Sequence, residues 1–201
     1  MSSEALDYSH PENQHYTYAD VLEWDEDFRA EIIDGKIYMM SPPVRAHQGI
    51  LMELAFQLRS FLTGKPCKVY PSPFGVRLFP KEDLSDDTLV EPDIVVVCDS
   101  SKLDKRGCNG APDLIIEIIS PSNTQHDRIY KFRKYLQAGV REYWIVDPQD
   151  KTVQVHILNT GAYHTTVYDK GDEAPVSVLP GCIIKLQDVF AEADPDIEVV
   201  E

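Results

Sequence analysis

The stretch Pro112-Asp-Leu-Ile-Ile-Glu-Ile-Ile-Ser120 constrains this chain more tightly than any other. It is short, rich in β-branched residues, opened by proline and closed by Ser120-Pro121, so it predicts a strand buried on both faces. One carboxylate, Glu117, sits in the middle of it. Burying a carboxylate is expensive unless it is paired or bound to a metal. A second strand of the same kind precedes it, Glu91-Pro-Asp-Ile-Val-Val-Val-Cys98, and a helix carrying Asp127 and Lys131 follows it. Any fold that buries these strands must supply Glu117 with a partner, and Asp93 and Lys131 are the nearest candidates.

The flanking segments predict a mixed fold. Thr17 caps a short helix over Tyr18 to Trp24, with Asp20 in its first turn. Asp34-Gly35 between two apolar runs signals a hairpin. With these as the two loop residues, Ile32 pairs with Ile37 and Glu31 with Tyr38, leaving Glu31 on a mixed face where it can point at a site. Ile50, Leu51, Leu54, Leu58, Phe61 and Leu62 recur at spacings of three and four, which predicts an amphipathic helix over about Val44 to Thr63. Strand-like pieces follow at Cys67 to Tyr70 and Gly75 to Phe79, then an acidic loop from Lys81 to Thr88. The two central strands are joined by a polar loop, Asp99 to Ala111. Thr124 and Asp127 have capping-box spacing for a helix from Gln125 to Ala138, stopped by Gly139. Further strands are expected at Arg141 to Val146, Val153 to Leu158, Tyr163 to Tyr168 and Ala174 to Val178, and Asp188 to Phe190 closes the fold. This is an α/β or α+β domain over residues 17–190, with a frayed N-terminal tail (1–16) and an acidic C-terminal tail (191–201).

Asp93 opens one central strand and Glu117 lies inside the other. Two carboxylates on neighbouring strands can grip one hard divalent cation, with the main-chain carbonyl of Ile118 as a third oxygen. Asp113 is a rival partner, but it lies four residues from Glu117 on the same strand. At ~3.3 Å per residue the two are ~13 Å apart, too far to share an ion. A lysine nearby could steady an attacking hydroxide or the charge on a phosphate. On a regular helical wheel Ile129, Phe132 and Leu136 define the apolar arc. Lys131 falls at its edge beside Tyr135, and Arg128 lies nearer the arc as a second cation candidate.

These pieces together resemble the putative restriction endonuclease family of the PD-(D/E)XK nuclease superfamily. The matching segments are Glu31-Ile-Ile-Asp-Gly-Lys36, His47 opening the long helix, Glu91-Pro-Asp-Ile-Val-Val-Val97 and Pro112 to Ser122. They continue through Asp127-x-x-x-Lys131-x-x-x-Tyr135 and Ala138-Gly-Val-Arg-Glu-Tyr-Trp-Ile-Val-Asp-Pro148. The resemblance spans about Thr17 to Phe190. It implies a restriction endonuclease-like mixed central sheet flanked by helices, with added antiparallel strands. It also implies a Mg²⁺- or Mn²⁺-dependent endonuclease acting on DNA, with Asp93 and Glu117 as metal ligands and Glu31 as an accessory acid. The superfamily pattern has lysine two residues after the glutamate, where this chain has Ile119. The resemblance implies that the role has moved to Lys131. His47, Asp127, Arg128 and Tyr135 are accessory candidates; a phosphate contact is one reading of His47, but a lone histidine at a helix start is more often structural.

Charge argues against easy binding to DNA. With 19 basic and 34 acidic residues the formal net charge is -15, which repels a phosphate backbone unless cations cluster locally. The run Arg128, Lys131, Arg133 and Lys134 is the one candidate cluster. The competing reading is therefore a catalytically inactive protein of nuclease fold that serves binding or assembly. A hydrolase for another phosphorylated substrate is a third. A homodimer suits a nuclease that cuts both strands. The four cysteines form no Cys-x-x-Cys pair, no apolar run approaches the ~20 residues that span a bilayer, and no signal segment opens the chain. The expectation is a cytoplasmic protein with reduced thiols and no membrane partner.

Overall fold

The computed structural model describes residues 15–24, 28–40, 42–119 and 126–191. In chain order they form α1 (Tyr18–Val21), the hairpin β1 (Ala30–Ile33) and β2 (Lys36–Met39), α2 (Arg45–Leu62), β3 (Lys68–Pro71), β4 (Gly75–Arg77), β5 (Leu89–Val90), β6 (Ile94–Val97), β7 (Gly107–Asn109) and β8 (Leu114–Ile118). A π-helical turn (His126–Lys131) leads into α3 (Phe132–Ala138). Then come β9 (Glu142–Asp147), β10 (Thr152–Asn159), β11 (Ala162–Asp169), β12 (Glu173–Pro175), β13 (Ile183–Lys185) and α4 (Leu186–Ala191). No helix among the described residues is long and apolar enough to cross a membrane.

Two large sheets organise these elements, and β12 and β13 pair in a third, two-stranded sheet. One large sheet is mixed, in the order β11-β10-β9-β8-β6-β3, and the other runs β2-β1-β5-β4-β7. The fold is α+β. β6 and β8 lie at the heart of the first sheet, antiparallel, with Ile94 opposite Ile116. Their even-numbered residues (Ile94, Val96, Leu114, Ile116, Ile118) pack against the α2 stripe of Ile50, Leu51, Leu54, Leu58 and Leu62. Their odd-numbered residues (Val95, Val97, Ile115, Ile119) pack against Val76 and Val90 of the second sheet and Tyr135 of α3. Both faces are dry, which is why these strands read as unbroken apolar runs rather than alternating ones.

The hairpin forms as its sequence predicts. Ile32 pairs with Ile37 and Glu31 with Tyr38. Asp34 and Gly35 both take positive φ, 51° and 74°, the conformation that a two-residue turn between twisted strands requires. α2 lies within one residue of its expected ends at each side.

Several expectations need correction. α1 stops at Val21, although the Thr17 amide and hydroxyl do meet the Asp20 carboxylate at 2.7 and 2.8 Å. Tyr16, assigned to the tail, is buried and donates its N–H to the Gly35 carbonyl. The loop over Asp99 to Ala111 contains β7, which pairs in parallel with β4. β5 and β13 are further strands that the sequence pattern does not announce; such two- and three-residue strands exist only through their partners and carry no periodicity. Cys67 and Cys98, expected to be reduced, are joined by a disulfide. They are the next pair outward from Lys68 and Val97 in the β3–β6 ladder, so strand register brings together residues 31 apart in sequence. The expected Thr124–Asp127 capping box lies outside the described residues.

Candidate active site

Glu31, Asp93, Glu117 and Lys131 come from four separate elements. Asp93 immediately precedes β6, and by the register of Ile94 with Ile116 it falls opposite Glu117. Its carboxylate reaches back across the strand end toward α2, whereas Glu117 faces Lys131 and Tyr135. Its Oδ2 accepts the Ile118 N–H at 2.7 Å. Asp113 is elsewhere: it accepts the Cys98 N–H at 2.7 Å and pairs with Arg141 at 2.7 Å.

Lys131 joins the two large sheets. Its Nζ lies 2.8 Å from Glu31 Oε1 and 2.9 Å from Glu117 Oε1. All three residues are buried, with 4–5% of their surface exposed. Glu31 Oε1 also accepts the Glu91 N–H at 2.8 Å. The Tyr135 hydroxyl donates to Glu117 Oε1 at 2.6 Å. Burial, and after it the nearby Glu117 and Glu31 carboxylates, hold the Tyr135 hydroxyl well above its ordinary pKa, so it remains a donor.

The wheel drawn on a regular helix misplaces this segment. Ile129, expected on the apolar arc, is 42% exposed, whereas Lys131 points inward. The π-helical turn over His126–Lys131 shifts the angular phase of Ile129 relative to α3. Lys131 and Tyr135, four apart, then share the inward face. Ile119, where the superfamily has its lysine, is 5% exposed and fills the second core. The side chains of Asp127 and Arg128 lie outside the described residues. The expected basic run is broken up: Lys131 is buried and Lys134 pairs with Asp34 across the turn.

His47, in the first turn of α2, places Nε2 3.2 Å from each Asp93 oxygen. The sequence leaves it between a phosphate contact and, more often for a lone histidine at a helix start, a structural role, and does not reveal this carboxylate partner. The one available signal is its position three, four and seven residues before Ile50, Leu51 and Leu54, at the head of the buried stripe. Among the described residues, no group of three or more His, Cys, Asp and Glu side chains is arranged to hold a metal ion.

Comparison with known proteins agrees with this architecture. A crystal structure of a putative nuclease belonging to DUF820, from Anabaena variabilis ATCC 29413, matches with a TM-score of 0.71. The match covers 89% of this chain and 99% of that one at 24% identity, a likeness of fold. The uncharacterized protein slr1290 of Synechocystis sp. (strain ATCC 27184 / PCC 6803 / Kazusa) is 29% identical over 141 residues, covering 69% of this chain and 72% of that protein. Residues 18–187 match the model of the family Uma2, described as putative restriction endonuclease, and so take in both large sheets and every residue of the candidate site. The chain belongs to that family.

Proposed function

We propose that this protein is a divalent-metal-dependent nuclease that hydrolyses phosphodiester bonds of DNA. The observation that carries the reading is the convergence of three carboxylates from three elements. By register Asp93 falls opposite Glu117 and accepts the N–H of Ile118, the next residue, and Lys131 ties Glu117 to Glu31. Like charges gathered in a buried place repel one another and lose hydration, at a cost of several kcal/mol. A divalent cation between Asp93 and Glu117 offsets that cost.

The donors suit such an ion in kind. Asp93 and Glu117 offer hard carboxylate oxygens from neighbouring strands, and Ile118 offers its main-chain carbonyl, a set suited to Mg²⁺ or Mn²⁺. When bound, the ion supplies polarisation of the scissile phosphate and acidification of water. The chain's own residues do the rest. Lys131 holds Glu31 and Glu117 in fixed positions and places positive charge where a phosphorane-like transition state gathers negative charge. Tyr135 fixes the Glu117 rotamer. Glu31 accepts the proton given up by the attacking water. Ile119 can serve the core because the ammonium arrives from the helix.

The test is a titration with Mg²⁺ and Mn²⁺ followed by thermal melting, alongside cleavage of supercoiled plasmid. The wild type should be stabilised by metal and should nick the plasmid. Asp93→Asn and Glu117→Gln should lose both responses. Metal-induced stabilisation that persists in Glu117→Gln would remove the centre of the proposal. A second reading, a non-catalytic binding or assembly module, draws on the net charge of -15 and the broken basic run. It predicts neither metal response nor nicking in the wild type.

A further inference from the structure

We propose that His47 is a positioning residue that holds the Asp93 carboxylate against the Ile118 amide, rather than a contact for substrate phosphate. The proposal rests on the metal-site reading above for its purpose, though not for its geometry.

Both ring nitrogens are accounted for. Nε2 sits 3.2 Å from Asp93 Oδ1 and 3.2 Å from Oδ2, facing the carboxylate edge. An ionised carboxylate only accepts hydrogen bonds, so Nε2 carries the proton and donates. Nδ1 is buried and has no hydrogen-bond partner among the described residues. A phosphate oxygen arriving at the site therefore finds one nitrogen occupied and the other sealed off from solvent. The ring's place is set by packing: His47 heads the α2 stripe, and Ile50, Leu51 and Leu54, on the same helical face, are fully or almost fully buried against β6 and β8.

Asp93 needs such support. It stands just before β6, and of the described contacts to its carboxylate oxygens one is the Ile118 N–H at 2.7 Å and the other is His47. With the imidazole behind it, the carboxylate is pinned between α2 and β8, and Ile118 is pinned with it. Asp93 and Ile118 are two of the three proposed metal donors. One side chain on α2 thus orients two donors at once, as partners behind a metal ligand do.

The test uses the full chain and reads the Ile118 amide by hydrogen exchange without metal. His47→Ala should speed exchange at Ile118 by about tenfold or more, while amides deep in β9 keep their protection. His47→Gln, whose amide nitrogen reaches the Nε2 position, should restore it. In parallel, His47→Ala should weaken Mn²⁺ binding by about 10–100-fold and His47→Gln by much less. Unchanged Ile118 exchange in His47→Ala would overturn the proposal, as would a variant that binds Mn²⁺ normally and loses only affinity for DNA. If the wild type binds no metal, the nuclease reading and the purpose of His47 fall together. The exchange data would still decide the His47–Asp93–Ile118 linkage.

Discussion

Replacing Lys131 by methionine is the sharpest perturbation of this site. Methionine keeps nearly the same length and fills the same buried space, so the change removes charge and hydrogen bonds while keeping most of the packing. It leaves Glu31 and Glu117, 5% and 4% exposed, without the ammonium that lies 2.8 and 2.9 Å from them. Removing one partner of a buried ion pair costs about 3–5 kcal/mol, because the charge left behind is uncompensated. In a domain of this size about 1 kcal/mol corresponds to roughly 2–4 °C, so melting in EDTA should fall by about 6–20 °C. Adding Mn²⁺ should recover more stability in the variant than in the wild type, since a more negative site binds a cation more strongly. Plasmid nicking should nevertheless stay absent, because no ammonium remains to meet the transition state. Circular dichroism melts with EDTA and with Mn²⁺, and a nicking assay on the same samples, read these outcomes. If Lys131→Met melts within about 2 °C of the wild type in EDTA, the lysine does not hold the two carboxylates and the reasoning fails.

Tyr135→Phe removes the hydroxyl 2.6 Å from Glu117 and should cost about 1.5–3 kcal/mol, the range for a hydrogen bond to a charged group, measured by urea unfolding. His156 is buried against Phe132, Tyr143 and Tyr163, and burial lowers its pKa to about 4. The unfolded chain then binds the extra proton first, so stability should fall as pH drops from about 6.5 to about 4. Melting followed over that range should show a shallower slope in His156→Gln. The Cys67–Cys98 bond closes a segment of 31 residues, for which the chain-entropy relation gives about 3–4 kcal/mol. Cys67→Ser/Cys98→Ser should lose about that much relative to the oxidised protein in denaturant melts, and treating the wild type with reductant should reproduce the loss.

Much of this architecture can be read from residue patterns, and its gaps have physical causes. Asp34-Gly35 specifies its hairpin because few residue pairs accept positive φ twice in succession. The α2 stripe and the two apolar strands announce themselves by period and by composition. Glu117 stands out because a carboxylate in a dry strand demands a partner. The direction of that partner is hidden: Lys131 sits at the edge of the apolar arc on a regular wheel, and nothing in Ile129-Tyr-Lys131 marks the π-helical turn that leaves Ile129 exposed beside it. The division into two large sheets and a small one, the two- and three-residue strands β5, β7 and β13, and the Cys67–Cys98 bond all depend on register between distant segments, which local sequence does not encode. His47 is conspicuous at the helix start and reads as structural more often than as a phosphate contact, but its contact with Asp93 arises only when α2 packs across the sheet and cannot be named until the packing is known.

The most direct test of the central claim is a crystal soaked in Mn²⁺ and measured for anomalous scattering. One strong peak is predicted within coordination distance of Asp93, Glu117 and the Ile118 carbonyl, about 2–2.5 Å from each oxygen. The peak should disappear in Glu117→Gln. A protein that nicks DNA while showing its Mn²⁺ peak elsewhere, or none at all, would contradict the claim.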